Sequence, residues 1–242
     1  MQNHKVDQTN LFTRLKSRTM MYQSLIWTDK TAFPQNAAFR PGFDRCASIL
    51  LWIRGMVIGK KKSPKVFLEI GVLQGVTARN VCELLHSIHQ KNFRYIGIDL
   101  FGDVSKEESD LAFTPIHNKI ANPFKNFFFN YILKKNLNSY SAVSGLLRKF
   151  KNNVELYKGY SHVFLNKIDL KDVNFVFLDG GHSYQVVKND LNILLSKLCK
   201  SATIICDDYN QKHYGVKKAV DEIDIKKFKI SILNGRIAEI IT

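Results

Sequence analysis

The eleven residues Phe175–Gln185, FVFLDGGHSYQ, decide the fold. Phe175-Val176-Phe177-Leu178 is a short continuous apolar run, which reads as a strand buried on both faces of a sheet. It stops on an acid, Asp179, followed by Gly180, Gly181 and His182. A carboxylate at the lip of a core is costly unless something binds there. Val187, Leu191, Leu194, Leu195 and Leu198 then recur at helical spacing. Strand, acidic glycine-rich turn and helix together make the half-unit of a doubly wound α/β sheet.

The same rhythm runs outward in both directions. Upstream, Lys65–Ile70 (KVFLEI) reads as a first strand, and Val81, Leu84, Leu85 and Ile88 give a helical stripe after it. Arg94–Asp99 (RYIGID) is the second strand, Val154–Lys158 a weaker third, with a short helix near Ser161–Ile168. Downstream, Thr203–Asp207 (TIICD) is the fifth strand, and Val216, Ala219, Val220 and Ile223 mark a helix. Segments 229–233 and 237–241 sit only a few residues apart around Asn234-Gly235, so they must form a hairpin. The expected fold is α/β: a doubly wound, mostly parallel, seven-stranded Rossmann-like sheet with an antiparallel last strand.

Two segments break the rhythm. Residues 1–64 read as an N-terminal helical extension with a helix across Asp44–Ile58, ahead of a main domain over 65–242. Residues 101–150 read as a helical insertion within that domain. Its middle, NPFKNFFFNYILKKNLNSY, mixes aromatics with lysines. It suits an ordinary helix packed on the domain, or alternatively a lid, a homodimer surface or a membrane-surface helix.

Composition narrows the classes. The chain has 242 residues, enough for one large α/β domain with an appendage. Ile49–Ile58 is too short to span a membrane and carries Arg54, and MQNHKVDQTN lacks the apolar core of a signal peptide. Cys46, Cys82, Cys199 and Cys206 are scattered without a CxxC pair, so reduced thiols in a cytoplasmic protein are expected. The formal net charge is +15, and residues 1–65 hold twelve Lys/Arg against three Asp and no Glu. Such a balance suits an acidic partner, whether nucleic acid, a nucleotide-linked substrate or an anionic membrane face, or reflects lysine-rich compositional bias alone.

The chemistry gathers at strand ends, where ligands of such sheets bind. The first strand ends in Glu69-Ile70-Gly71-Val72-Leu73-Gln74-Gly75, a GxxxG turn in place of the GxGxxG dinucleotide loop. The second ends in Asp99, whose carboxylate can accept both hydroxyls of a ribose. The pair favours an adenosine-bearing ligand. The fourth and fifth strands end in Asp179 and in Asp207-Asp208. If those strands are neighbours, three carboxylates meet, and a cation resolves their repulsion. All-oxygen ligands suit Mg²⁺ or another hard divalent cation. Helix capping is the alternative role for Asp179 or Asp208. His182 follows Asp179 closely enough to act as a general base.

The fragments EIGVLQG, GIDLFGD, FLDGGHSYQVVKNDL, CDDY and GVKKAVDEI together resemble the class I S-adenosylmethionine-dependent methyltransferases. More narrowly they are similar to the macrocin O-methyltransferase group, which methylates sugar hydroxyls with a divalent metal. The resemblance covers about Val66 to Ile241, without most of 101–150. It implies that Glu69, Gly71 and Gly75 line the methionine and ribose part of S-adenosylmethionine, that Asp99 holds the ribose hydroxyls, and that Tyr160 and Ser161 sit by the adenine. It further implies Asp179, Asp207 and Asp208 as metal ligands, with Asp179 also among the cofactor-binding and catalytic residues, and His182 as general base. The implied activity is metal-assisted O-methylation of a sugar or other small molecule. Two rivals stand beside it: an RNA methyltransferase using the basic surface, and a non-catalytic membrane-surface or assembly protein on the same scaffold.

Overall fold

The computed structural model describes residues 64–102, 137–233 and 236–242. The helix expected across Asp44–Ile58, the Phe- and Lys-rich centre of the insertion and the Asn234-Gly235 turn lie outside the described residues. The seven strands are β1 (Val66–Ile70), β2 (Arg94–Asp99), β3 (Val154–Lys158), β4 (Phe175–Leu178), β5 (Thr203–Cys206), β6 (Lys229–Leu233) and β7 (Ile237–Ile241). The helices are α1 (Val76–His89), α2 (Tyr140–Leu146), α3 (Ser161–Lys167), α4 (Tyr184–Lys197) and α5 (Tyr214–Asp221), with a 3₁₀ turn at Arg148–Phe150.

The strands form one sheet in the order β3-β2-β1-β4-β5-β7-β6. β1 to β5 pair in parallel, and β7 runs antiparallel to both β5 and β6. The seven-stranded, mostly parallel expectation is therefore met, with β7 as the reversed strand. The order reverses between β1 and β4, which makes their carboxyl ends the topological switch point where open α/β sheets bind ligands.

The period-2 alternation of the strands divides the core between the two faces of the sheet. Leu68, Ile70, Ile96, Ile98, Val176, Leu178 and Ile204 pack against Leu165 of α3, Val187, Leu191 and Leu194 of α4, and Val216, Ala219 and Val220 of α5. Phe67, Tyr95, Phe175, Phe177 and Ile205 form the second core with α1 and with Val143, Leu147 and Phe150. Phe67 stacks between Tyr95 and Phe175, with ring centroids 5.9 and 5.0 Å away. Burial on both faces explains why β1, β2, β4 and β5 read as continuous apolar runs.

The described end of the insertion, residues 137–150, is tied to α1 by a polar triad. The Arg79 guanidinium donates to the Leu146 carbonyl and to Glu83, each at 2.7 Å, and Lys149 donates to the other oxygen of Glu83 at 2.7 Å. Arg79 and Lys149 also cover the Phe150 ring at 5.0 Å. This part of the insertion is a helix packed on the domain. No helix of the described residues is long and apolar enough to cross a membrane.

Candidate active site

The first half of the site is built at the ends of β1 and β2. Gly71 has φ 93°, a conformation that favours glycine. A β-carbon there would lie 2.1 Å from the Asp179 carbonyl oxygen, so only glycine lets the β1 end approach the β4 end so closely. Gly75, φ 74°, is the N-cap of α1, and a β-carbon on it would press on Val143 at 2.9 Å. Asp99 accepts backbone N–H bonds from Leu73 (2.8 Å, Oδ2) and Phe101 (2.6 Å, Oδ1). These two bonds lock the carboxylate plane and leave each oxygen a further lone pair, which suits a vicinal diol. Burial pushes the Asp99 carboxyl up, against the lowering effect of those N–H groups. Gly159 donates its N–H to the Asp99 carbonyl at 2.9 Å and so closes the β2–β3 side.

Glu69 is 1 % exposed and accepts the Tyr95 hydroxyl. Burial holds its carboxyl well above the ordinary carboxylate range; the Tyr95 hydrogen bond opposes this, and the charges of Asp179 and Asp99 add to it. Tyr160 is the N-cap of α3 and exposes its ring, whereas the Ser161 hydroxyl donates to buried Asp190 of α4 at 2.8 Å. Ser161 thus spends its side chain on packing α3 against α4 and offers a ligand its backbone alone.

The second half lies at the ends of β4 and β5. The Asp179 N–H donates to the Ile70 carbonyl at 2.8 Å and the Asp207 N–H to the Leu178 carbonyl at 3.0 Å, which sets the acids on adjacent strands side by side. Asp207 and Asp208 are both buried. Asp207 Oδ1 accepts the Asp208 N–H at 2.7 Å. Asp208 Oδ2 lies 3.0 Å from Nε2 of His182 and 3.7 Å from Nε2 of His213. The two imidazoles lie with centroids 4.4 Å apart, their planes tilted by 38°. On the opposite side, Arg236 brings its Nε to 3.8 Å from Asp207 Oδ1 and its guanidinium to 3.6 Å from Asp208 Oδ1.

Strain marks the same places. Among the described residues, five non-glycine residues have positive φ, and three of them, Leu73 (51°), Phe101 (48°) and Asp208 (58°), stand at this edge. Such conformations cost on the order of 1–3 kcal/mol each and persist where the surroundings over-determine them, most often at functional sites.

Of the sequence-predicted residues, Glu69, Gly71, Gly75, Asp99 and Asp179 meet around the switch point, and His182 joins Asp208. Asp207 turns towards Arg236. Two residues were not singled out by sequence. His213 precedes α5, where its N–H bonds Asn210 Oδ1 at 3.0 Å. Arg236 follows from the antiparallel register: β5 and β7 pair Cys206 with Ala238, and two further residues put Arg236 opposite Asp208.

A family model described as a methyltransferase domain matches residues 68–209, more than half of the chain. The chain belongs to this family, and the protein is an S-adenosylmethionine-dependent methyltransferase. No curated protein matches it in sequence. Solved structures share the fold. The O-methyltransferase NovP is 16 % identical with a TM-score of 0.60, over 96 % of this chain and 97 % of NovP. CalS11, a TDP-rhamnose 3'-O-methyltransferase of calicheamicin biosynthesis, is 16 % identical with a TM-score of 0.53, over 100 % of this chain and 96 % of CalS11. An O-methyltransferase from Bacillus cereus in complex with SAH is 11 % identical with a TM-score of 0.50, over 99 % of this chain and 94 % of its own.

Proposed function

We propose that the protein transfers the methyl group of S-adenosylmethionine to a hydroxyl oxygen of a sugar or comparable small molecule, with a divalent cation assisting. The observation that carries this reading is the placement of two polar half-sites on either side of the switch point. Asp99, braced by Leu73 and Phe101, stands on one side, and Asp208, in contact with His182 and His213, on the other. The first half suits the cofactor. The second is where an acceptor oxygen must lose its proton.

S-adenosylmethionine, when bound, would supply an electrophilic methyl on a sulfonium, to which an acceptor oxygen can bond as the C–S bond breaks and a neutral thioether leaves. Glu69, Gly71 and Gly75 would border the cofactor: the glycines remove side-chain bulk, and Glu69 accepts the Tyr95 hydroxyl. Asp99 would accept the ribose hydroxyls, and the Tyr160–Ser161 backbone, with the exposed Tyr160 ring, would flank the base. An alcohol is about as weak an acid as water, so at neutral pH its proton must be managed by the enzyme; a bound divalent cation can lower that pKa by stabilising negative charge on oxygen.

Two donor sets bear on that cation. Asp179, Asp207 and Asp208, the set the sequence implies, would offer Mg²⁺ oxygen ligands, with His182, 3.0 Å from Asp208, left as general base. The set of His182, Asp208 and His213 would suit a different ion, for reasons argued below. In either case the chain's task is alignment, because in-line displacement gains most from fixed geometry.

The sugar reading draws on NovP and CalS11, whose described activities are O-methylation. A cytoplasmic setting is supported by Cys82, Cys199 and Cys206, all free thiols. The test is incubation of the full chain with methyl-labelled S-adenosylmethionine and nucleotide-linked sugars, TDP-rhamnose among them. Label in an alkali-stable ether is the expected outcome. Label found in RNA alone would move the assignment to the nucleic-acid rival.

A further inference from the structure

We infer that His182, Asp208 and His213 form a binding site for a first-row transition-metal dication, of the Mn²⁺, Fe²⁺, Co²⁺ or Zn²⁺ class, and not for Mg²⁺. The inference deepens the proposed function and rests on it for the role of the ion, but the site itself is argued from geometry. One carboxylate oxygen and one nitrogen from each of the two histidines lie within 4.8 Å of one another. Among the described residues, this is the one set of three such side chains that is so placed. Asp179 and Asp207 are not members of it.

The spacing decides between a hydrogen-bonded cluster and a metal cradle. Ligands bound to one small dication at about 2.1 Å lie roughly 3.0–3.4 Å apart, for octahedral and tetrahedral angles respectively. The distances from Asp208 Oδ2 to the two imidazoles are 3.0 and 3.7 Å, which bracket that range. A hydrogen bond accounts for the first and not for the second, which is too long. Yet both Nε2 atoms lie within 4 Å of the same oxygen. An ion between the three needs the His213 nitrogen to close from 3.7 Å towards that range.

Donor chemistry selects the ion. Mg²⁺ demands oxygen ligands in near-ideal octahedral geometry. Imidazole suits zinc, iron, copper and nickel, and two histidines with one carboxylate, leaving open positions, is a recurrent arrangement for catalytic metals. Two of the three carboxylates of an all-oxygen cage already face a cation, since Arg236 stands 3.8 Å from Asp207 and 3.6 Å from Asp208 Oδ1. That leaves Oδ2 of Asp208 as its metal-facing oxygen.

The cluster is held in place by its surroundings. A β-carbon on Gly215 would lie 2.3 Å from the His182 carbonyl oxygen and 2.6 Å from the Tyr184 nitrogen. Only glycine there lets the first turn of α5 rest on the His182–Tyr184 segment, and that contact sets His213 against His182. Asn210 fixes the His213 backbone, and Asp208 is held at φ 58°. Access remains, because the His182 and His213 side chains are 24 % and 19 % exposed while Asp208 is 7 %. In the loaded protein, His182 serves as a ligand in place of proton acceptor.

The test uses full-length protein without a polyhistidine tag, stripped by a chelator and titrated with Co²⁺ by calorimetry and visible absorption, in a large excess of Mg²⁺. One equivalent of Co²⁺ is expected, with a ligand-field band, and His213→Gln and His182→Gln should each weaken binding at least about tenfold. Binding of S-adenosylhomocysteine to the same variants serves as the control for folding. Nitrogen NMR of the Zn²⁺-loaded wild type, which needs no substitution, should show two ligated imidazoles. Absence of Co²⁺ uptake, displacement by Mg²⁺, or unchanged affinity in both variants would overturn the inference, displacement pointing to the three-carboxylate cage. Co²⁺ binding in a protein that takes up no S-adenosylhomocysteine would leave the site standing and remove the methyltransferase role.

Discussion

Gly215 and His182 are in backbone contact, so close that a β-carbon on the glycine would sit 2.3 Å from the histidine carbonyl oxygen. The atoms it would meet are main chain, which cannot step aside as a side-chain tip can. Gly215→Ala should therefore push α5 off the β4–α4 loop. Overpacking of this kind costs roughly 1–3 kcal/mol. The expected result is a lowered urea midpoint together with lost metal affinity, because His213 moves with α5. A variant of unchanged stability and metal binding would show that the approach is looser than described.

Glu69 gives a pH dependence with a definite sign. Burial raises its folded-state pKa well above the ordinary value. Below the unfolded pKa, about 4.3, the group is protonated in both states and its contribution to stability is complete. As pH rises, the unfolded chain releases a proton that the folded chain retains, so stability falls until the folded pKa is passed. Glu69→Gln removes this slope. The denaturation midpoint of the variant relative to wild type should rise as the pH is raised above the unfolded pKa. A difference that stays flat over that rise in pH would show that Glu69 ionises normally.

Glu83 holds the insertion to α1. It is buried between Arg79 and Lys149, and Arg79 is itself almost wholly enclosed. Removing one partner of a buried pair leaves an uncompensated charge, at a cost of roughly 3–5 kcal/mol. Glu83→Ala should destabilise the protein by about the lower end of that range, because Lys149 is partly solvated. Hydrogen exchange of residues 140–150 should accelerate more than that of the sheet. Equal acceleration everywhere would mean that the segment does not dock through this triad.

The fold was legible because its strands announce themselves. Val154–Lys158 matches its expected bounds, Phe175–Leu178 is the apolar run itself, and Thr203–Cys206 stops one residue short of the expected Asp207, since apolar runs buried on both faces end where the core ends. The acids at the strand ends were legible for the same reason: an ionisable group closing a buried run is rare without a ligand. His213 was not legible, because its partner is fixed by the Gly215 contact, a tertiary event with no periodicity. Arg236 was hidden for a different reason. Its place opposite Asp208 depends on the β5–β7 register, which a hairpin signal alone does not set. The commitment of Ser161 to Asp190 was hidden likewise, because α3 and α4 meet only once the sheet is assembled.

Asp99 tests the central claim most directly. Its two oxygens are braced by the N–H groups of Leu73 and Phe101, one bond to each. Hydrogen bonds to a charged group contribute about 1.5–3 kcal/mol, which corresponds to ten- to hundredfold in affinity. The measurement is calorimetric titration of the full chain with S-adenosylhomocysteine, on wild type and on Asp99→Asn. The account predicts one site in wild type and an affinity at least about tenfold weaker in the variant. No binding to wild type, or equal affinity in both, would contradict the placement of the cofactor at the ends of β1 and β2.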